Sequence, residues 1–336
     1  MTKKEFTYPS ADGRTQIHAI KWIPDRQPRA VLQIIHGMVE FVDRYDDFAR
    51  FMAGKGFLVV GEDHLGHGDS VQSPEHYGYF GEHGNEWIIS DIHHLRTETQ
   101  KDNLDIPYFM LGHSMGSFLL RQYITELDIT QSTAAFSQQS ETNSSADDSA
   151  DSSVLTYANG LSAVIIMGTG WQPKVALLAG KTIAKLLGTK QLGKNAKALE
   201  QIAFGTYLKH IDNPQTSSDW LTKDREIINW YRANPLCTFH FTPNAFYHMF
   251  CGMEKAHDIS RMKNLPAGLP ILFTSGAEDP VGNWGEAVRK AYMIYQDNTD
   301  CDVSIQLYLD DRHEILNETD RADVYQDILD YLENHM

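Results

Sequence analysis

Tyr108-Phe109-Met110-Leu111-Gly112-His113-Ser114-Met115-Gly116-Ser117-Phe118-Leu119-Leu120 is the stretch on which the architecture turns. Tyr108–Leu111 is short, apolar and free of alternation, the pattern of a central strand buried on both faces. From Met115 to Leu127 the apolar residues Phe118, Tyr123, Ile124 and Leu127 recur at helical spacing, so a strand runs into a helix at Gly112-His113-Ser114-Met115-Gly116. A G-x-S-x-G run in that setting is a nucleophile elbow. Its two glycines leave room for a sharp turn, and the turn lifts the Ser114 hydroxyl past the sheet at a helix N-terminus. Ser114 is therefore the candidate nucleophile.

The same alternation extends in both directions. Glu5–Tyr8 and Gln16–Trp22 flank an Asp12-Gly13 turn and read as a hairpin. Val31–Ile35, Phe57–Val60, Ala163–Met167, Pro270–Thr274 and Val303–Leu309 read as further strands. Helical spacing covers Tyr45–Met52, Trp87–Leu95, Trp284–Tyr295 and Ala322–Leu332. Repeated βα units predict an α/β protein with a mostly parallel, doubly wound sheet.

Two stretches interrupt the rhythm. Gln131–Ser153 is rich in Ser, Asp, Gln and Asn and holds no Lys or Arg, so it predicts a flexible polar insertion. It joins a helix to the next strand, which places it at the N-terminal edge of a parallel sheet, away from the active face. Residues 171–252 are helical and aromatic-rich, with Trp171, Phe204, Tyr207, Trp220, Trp230 and Phe250 among them. Leaving from a strand's C-terminal end, they predict a cap over the active face, with 1–170 and 253–336 as the core. Part of that aromatic content must serve the cap's own packing; the remainder suits an apolar pocket.

A serine hydroxyl is a weak nucleophile and needs an imidazole to take its proton and a carboxylate to orient the imidazole. With an elbow of this kind the order along the chain is serine, acid, histidine. Ser275-Gly276-Ala277-Glu278-Asp279-Pro280 follows the Pro270–Thr274 strand and offers Glu278 and Asp279; Pro280 rigidifies the turn after Asp279 and favours it. Asp310-Asp311-Arg312-His313-Glu314 follows the last strand and supplies His313, whereas His240, His248 and His257 precede the acid. The oxyanion needs backbone donors. One is the Met115 amide, after the nucleophile; the other is the Met38 amide, in His36-Gly37-Met38-Val39-Glu40 after the first parallel strand. His64 and His67, on the glycine-rich loop Asp63–Ser70, lack a convincing third ligand and read as a structural turn rather than a metal site.

Composition narrows the function classes. With 29 basic against 45 acidic residues the net charge is −16, a balance that disfavours nucleic-acid partners and anionic bilayers. No window approaches the roughly 18 apolar residues of a membrane span, and Met1–Phe6 lacks a signal peptide's apolar core. Cys237, Cys251 and Cys301 form no disulfide or zinc pattern. A cytoplasmic protein is expected.

With these motifs in place, the chain resembles the monoacylglycerol lipase and lysophospholipase group of α/β hydrolases, also labelled serine aminopeptidase-like. The resemblance rests on His36-Gly37-Met38-Val39-Glu40, Asp63-His64-Leu65-Gly66-His67-Gly68, the elbow, Gly276-Ala277-Glu278-Asp279-Pro280-Val281 and the segment ending in His313. It implies the α/β-hydrolase fold with a helical cap. It also implies hydrolysis of single-chain acyl esters through an acyl-enzyme, with nucleophile Ser114, acid Asp279, base His313 and oxyanion amides Met38 and Met115. No cofactor or metal is implied, and contact with lipid would be transient and through the cap. Where the group usually reads H-G-x-G-E, this chain has Val39 for the second glycine. A peptidase acting on small N-terminal residues would instead use cap carboxylates such as Asp219, Asp224 or Glu226 to hold an ammonium group. A third class, a ligand receptor of the same fold with negligible turnover, would bind without hydrolysing.

Overall fold

The computed structural model describes residues 1–128 and 155–336, so the Gln131–Ser153 insertion lies outside the described residues. Eight strands form one sheet: β1 (Thr2–Pro9), β2 (Gln16–Ile23), β3 (Ala30–Ile35), β4 (Phe57–Glu62), β5 (Tyr108–His113), β6 (Ala163–Met167), β7 (Pro270–Gly276) and β8 (Asp302–Tyr308). Their spatial order is β1-β2-β4-β3-β5-β6-β7-β8. β2 is antiparallel to both β1 and β4, and every other pairing is parallel.

The apolar runs exist because both faces of the sheet are covered. Side chains alternate across a strand, so Val31, Val60, Met110 and Val164 join one core while Leu32, Val59, Phe109 and Ile165 join the other. α1 (Asp46–Gly54) and α10 (Arg321–Glu333) pack on the second face; α2 (Gly84–Lys101), α3 (Met115–Tyr123) and α9 (Glu286–Asn298) cover the first. Gln33, the polar exception in β3, is satisfied by the Tyr108 hydroxyl at 2.7 Å and the Ile92 carbonyl at 3.0 Å.

Two helix boundaries differ from the periodicity. α3 stops at Tyr123, not Leu127: the Thr125 hydroxyl turns back to the Gln122 carbonyl at 2.8 Å, and Leu127 pairs with Thr156 in an isolated bridge. α9 begins at Glu286, not Trp284, because Asn283, Trp284 and Gly285 all take positive φ and cannot belong to a right-handed helix.

Between β6 and β7 the chain forms α4 (Lys174–Leu187), α5 (Lys197–Phe204), α6 (Arg225–Ala233), α7 (Pro243–Ala256) and α8 (Ile259–Met262). α7 runs unbroken through Gly252, so the change-over expected at Met253 falls inside a helix. The sheet's connections reverse direction between β3 and β5, where Ile35 sits in register with Gly112. Loops leaving such a switch point bound the crevice in which α/β proteins bind ligands, and here they are His36–Glu40 and the Ser114 turn.

Candidate active site

Ser114 stands at the N-terminus of α3 with φ 54° and ψ −121°, a strained conformation for a residue with a Cβ. The elbow glycines make it possible. A Cβ on Gly116 would lie 2.0 Å from the Ile35 carbonyl oxygen, and one on Gly112 would lie 2.4 Å from the Gly116 carbonyl oxygen. Backbone packs against backbone on both sides, so neither position admits a side chain. The Ser114 amide donates to the Met167 carbonyl at 3.0 Å, fastening the turn to the end of β6.

Asp279 and His313 meet next to His113, the residue before Ser114. The His313 Nδ1 donates to Asp279 Oδ2 at 2.9 Å, and both side chains are buried. Ser275 Oγ donates to the same oxygen at 2.9 Å and the Val281 amide to Oδ1 at 2.8 Å, so the carboxylate is locked in one orientation. With Nδ1 carrying the proton, His313 Nε2 is left as an acceptor. Glu278, the competing acid, is half-exposed and faces Lys223 at 3.2 Å. The His313 ring lies 5.0 Å from the Trp220 ring and 4.8 Å from the His113 ring, and its amide donates to the Trp220 carbonyl at 3.4 Å.

The Met38 amide is aimed by its own peptide plane. His36 Nε2 accepts from the His64 amide at 2.9 Å, which leaves the proton on Nδ1 to bond the Gly37 carbonyl at 2.7 Å. A trans peptide points its N–H opposite its C=O, so fixing the Gly37 oxygen fixes the Met38 N–H. Burial lowers the His36 pKa well below the ordinary value, and the nearby His64 and His67 push the same way; the ring is neutral, as this bonding requires. The Gly37 amide itself is consumed by the Glu40 carboxylate, and a Cβ on Gly37 would come within 3.0 Å of the Ser114 Cβ. Met115 sits in the first turn of α3, where the helix supplies its amide with no partner. His64 and His67 thus belong to the turn network that carries the His36–Glu40 loop.

The sequence pattern of the serine aminopeptidase S33 family matches residues 26–136 and 151–320. The chain belongs to that family. Among curated relatives, a monoacylglycerol lipase from Mycolicibacterium smegmatis is 23% identical over 100% of this chain and 99% of its own length. The monoglyceride lipase of Mus musculus is 35% identical, over 32% of this chain and 33% of that protein. The crystal structure of a highly thermostable carboxyl esterase from Bacillus coagulans in complex with glycerol superposes with a TM-score of 0.83 at 27% identity, covering 100% of this chain and 99% of the esterase. The fold of this S33 member is the α/β-hydrolase fold.

A buried ionic cluster that spacing did not reveal braces the site. Arg44 bonds Glu40 at 2.6 Å and grips Glu314 with two contacts at 2.8 and 2.7 Å, all three side chains being nearly sealed from solvent. Tyr45 Oη bonds Glu40 and His113 Nδ1, each at 2.9 Å, and His113 Nε2 faces the His313 carbonyl at 3.3 Å. The His36–Glu40 loop, the elbow and the His313 loop therefore share one network. Burial alone would raise the Glu40 pKa, but the Arg44 charge and the His113 contact outweigh it and hold the carboxyl well below its usual range. Burial would likewise lower His113, and the Glu40 hydrogen bond outweighs it and raises the pKa. The one clue in the sequence is the i,i+4 pair Glu40/Arg44; the Glu314 partner, 270 residues away, leaves no local trace.

Val39 stands at φ 56°, where the family pattern has glycine. A left-handed conformation costs a residue with a Cβ about 1–2 kcal/mol, and the half-buried isopropyl group packs on the core. An ordinary core valine would tolerate alanine better than glycine. Here the order inverts: Val39→Gly will be more stable than Val39→Ala by about 1 kcal/mol in urea unfolding, and the opposite ranking would remove the strain argument.

The cap carboxylates of the peptidase reading have structural work. Asp219 is buried and accepts from the Gln215 amide at 2.7 Å, from the Thr216 hydroxyl and from Arg225 at 2.8 Å. Asp224 caps α6 through the Glu226 and Ile227 amides and pairs with Arg321 at 3.1 Å. Glu226 is exposed in the first turn of α6.

Proposed function

We propose that this protein is a serine carboxylic ester hydrolase acting on single-chain acyl lipids such as monoacylglycerols or lysophospholipids. The observation that carries the reading is the His313 imidazole, held through Nδ1 by a locked Asp279, with its ring 4.8 Å from that of His113, the residue before Ser114. In the proposed reaction His313 takes the Ser114 proton as Oγ attacks the ester carbonyl, and the Met38 and Met115 amides receive the oxyanion. Collapse expels the alcohol with the proton from His313 and leaves an acyl-Ser114 ester. A water deprotonated by His313 then hydrolyses that ester and restores the serine. Each amide in such a hole contributes about 3–4 kcal/mol to the transition state.

A lipid acyl group is supported by the lipase relatives and by the side chains around the elbow. Phe118, Leu119 and Met115 of α3 meet Met249 and Met253 of α7 across a small apolar cavity of about 10 Å³. Methionines repack readily, so this seam can widen for an acyl chain. Cys237, Cys251 and Cys301 remain free thiols, which supports a cytoplasmic location. Among the described residues no helix is long and apolar enough to cross a membrane.

The test is p-nitrophenol release from acyl esters of increasing chain length, run beside aminoacyl p-nitroanilides. Turnover of the esters with a defined chain-length optimum, and little or none of the anilides, is expected. Inertness on every ester would overturn the reading, in favour of the peptidase if the anilides turn over and of the receptor if nothing does.

A further inference from the structure

Arg121 carries a charge that the proposed reaction does not use. It is fully buried in α3, and among the described residues no carboxylate neutralises it. Burial accordingly pushes its pKa down. Taking a guanidinium out of water without a counter-ion is costly. A methionine of similar length would fill the space without that cost. What methionine lacks is donors.

Those donors reach two separate stretches of chain. Nη1 donates to the Gly170 carbonyl at 2.9 Å and to the Thr169 hydroxyl at 3.3 Å, where the chain leaves β6 for α4. Nη2 donates to the carbonyl of Ala256 at 3.3 Å, the last residue of α7. One guanidinium thus ties together the two ends of the α4–α7 segment. The ends also stack on each other, with the Trp171 and His257 rings 4.3 Å apart at 20°. Burial first, and then the Arg121 charge, push His257 down to about 2, so a neutral ring lies beside the cation. The Arg121 Cζ is 5.0 Å from the Trp171 ring, 5.6 Å from that of Tyr295 and 5.7 Å from that of Phe118. Aromatic faces stand where a carboxylate is missing.

Both ends bear on the site. At 3.6 residues per turn Arg121 stands about two turns along α3 from Ser114. The first stretch it grips runs past the histidine and the acid loop. A Cβ on Gly168 would lie 3.1 Å from His313 Cε1, and one on Gly170 would lie 2.7 Å from the Val281 carbonyl oxygen. Phe118, about one turn nearer Ser114, packs with Leu177 of α4 and Met253 of α7. The width of the apolar seam between α3 and α7 therefore follows from where the two ends are held.

We infer that Arg121 is a positioning residue that sets the seat of α4 and α7 against α3, and with it the width of the seam open to an acyl chain. It acts through Gly170 and Ala256 rather than on the reacting atoms. The seating rests on the contacts at the two ends; its bearing on acyl chains rests on the function proposed above.

The experiment reads the two separately. Arg121→Met keeps the length and drops the donors, while Arg121→Lys keeps the charge and reaches one end at a time. Hydrogen–deuterium exchange of the full chain is followed at residues 168–174 and 253–259, with the sheet amides as internal reference. In Arg121→Met, exchange at both ends is expected to quicken about tenfold, the equivalent of one lost hydrogen bond, with Arg121→Lys falling between it and the wild type. On p-nitrophenyl esters, the ratio of kcat/KM for the dodecanoate to that for the acetate falls about tenfold in Arg121→Met, chiefly through KM, and recovers in part in Arg121→Lys. A general loss of structure would lower both esters alike. Unchanged exchange at either end overturns the inference, as does acceleration shared equally by the sheet. Acceleration confined to the two ends beside an unchanged ester ratio overturns it as well. Should Arg121→Met fail to fold, Arg121→Lys carries the same comparisons. If the wild type is inert on every ester, acceleration confined to the two ends supports the seating by Arg121 and removes only the ester reading.

Discussion

Ser114→Ala will lower kcat on a p-nitrophenyl ester by about 10⁴-fold or more while leaving KM within a few-fold. The missing Oγ is the atom that would bond carbon, so no other group can carry the covalent step. Binding of the proposed acyl ester, by contrast, would rest on the apolar side chains around the elbow, which the substitution does not touch. Folding is spared as well. Alanine bears the same Cβ as serine at φ 54°, so it neither adds nor relieves strain, and the turn stays fastened through the Ser114 amide to Met167. The measurement is steady-state kinetics beside a thermal melt. Retention of more than a tenth of the wild-type kcat would place the nucleophile elsewhere. Ser117 is the nearest alternative, but its Oγ is spent on the Ser114 carbonyl at 2.6 Å.

What could be read from the chain, and what could not, follows from the range of the interactions. The strands were legible because helices cover both faces of the sheet, so Tyr108–Leu111 is apolar throughout and Val31–Ile35 is broken only by Gln33. The elbow was legible because its steric demands fall on neighbours two residues away on either side, Gly112 and Gly116. Helix ends were less so. Trp284 and Leu127 sit at helical spacing from true helix residues, yet positive φ at 283–285 and the Thr125 side chain cut the helices short.

The Glu40–Arg44–Glu314–His113 cluster shows the limit most clearly. A charged residue in a loop reads as solvated, and only the fold reveals that these four are sealed together under the site. Breaking such a buried set by removing one partner typically costs about 3–5 kcal/mol. Glu40 could be quoted as part of a motif, but its task of occupying the Gly37 amide, thereby leaving Met38 as the free donor, is a matter of geometry.

The choice between neighbouring acids yields the second large effect. Asp279→Asn is expected to lower kcat about 10⁴-fold, whereas Glu278→Gln leaves it within about twofold. In the wild type, Asp279 accepts three hydrogen bonds, from His313 Nδ1, Ser275 Oγ and the Val281 amide. An asparagine has one acceptor oxygen. With its NH₂ group toward Val281, two donors collide; the oxygen therefore stays on the Val281 amide, and the NH₂ turns to His313. Nδ1 must then accept, the proton moves to Nε2, and the base that should receive the Ser114 proton already carries one. The serine is present and its base is in the wrong tautomer. Glu278 has no such position: its side chain is 44% exposed and its partner Lys223 is a surface contact worth at most about 1 kcal/mol. The discriminating measurement is kcat for the two variants on one ester, with melts to exclude unfolding. An inactive Glu278→Gln beside an active Asp279→Asn would mean that the histidine loop moves during turnover to engage the outer acid, and that the locked carboxylate is a structural post.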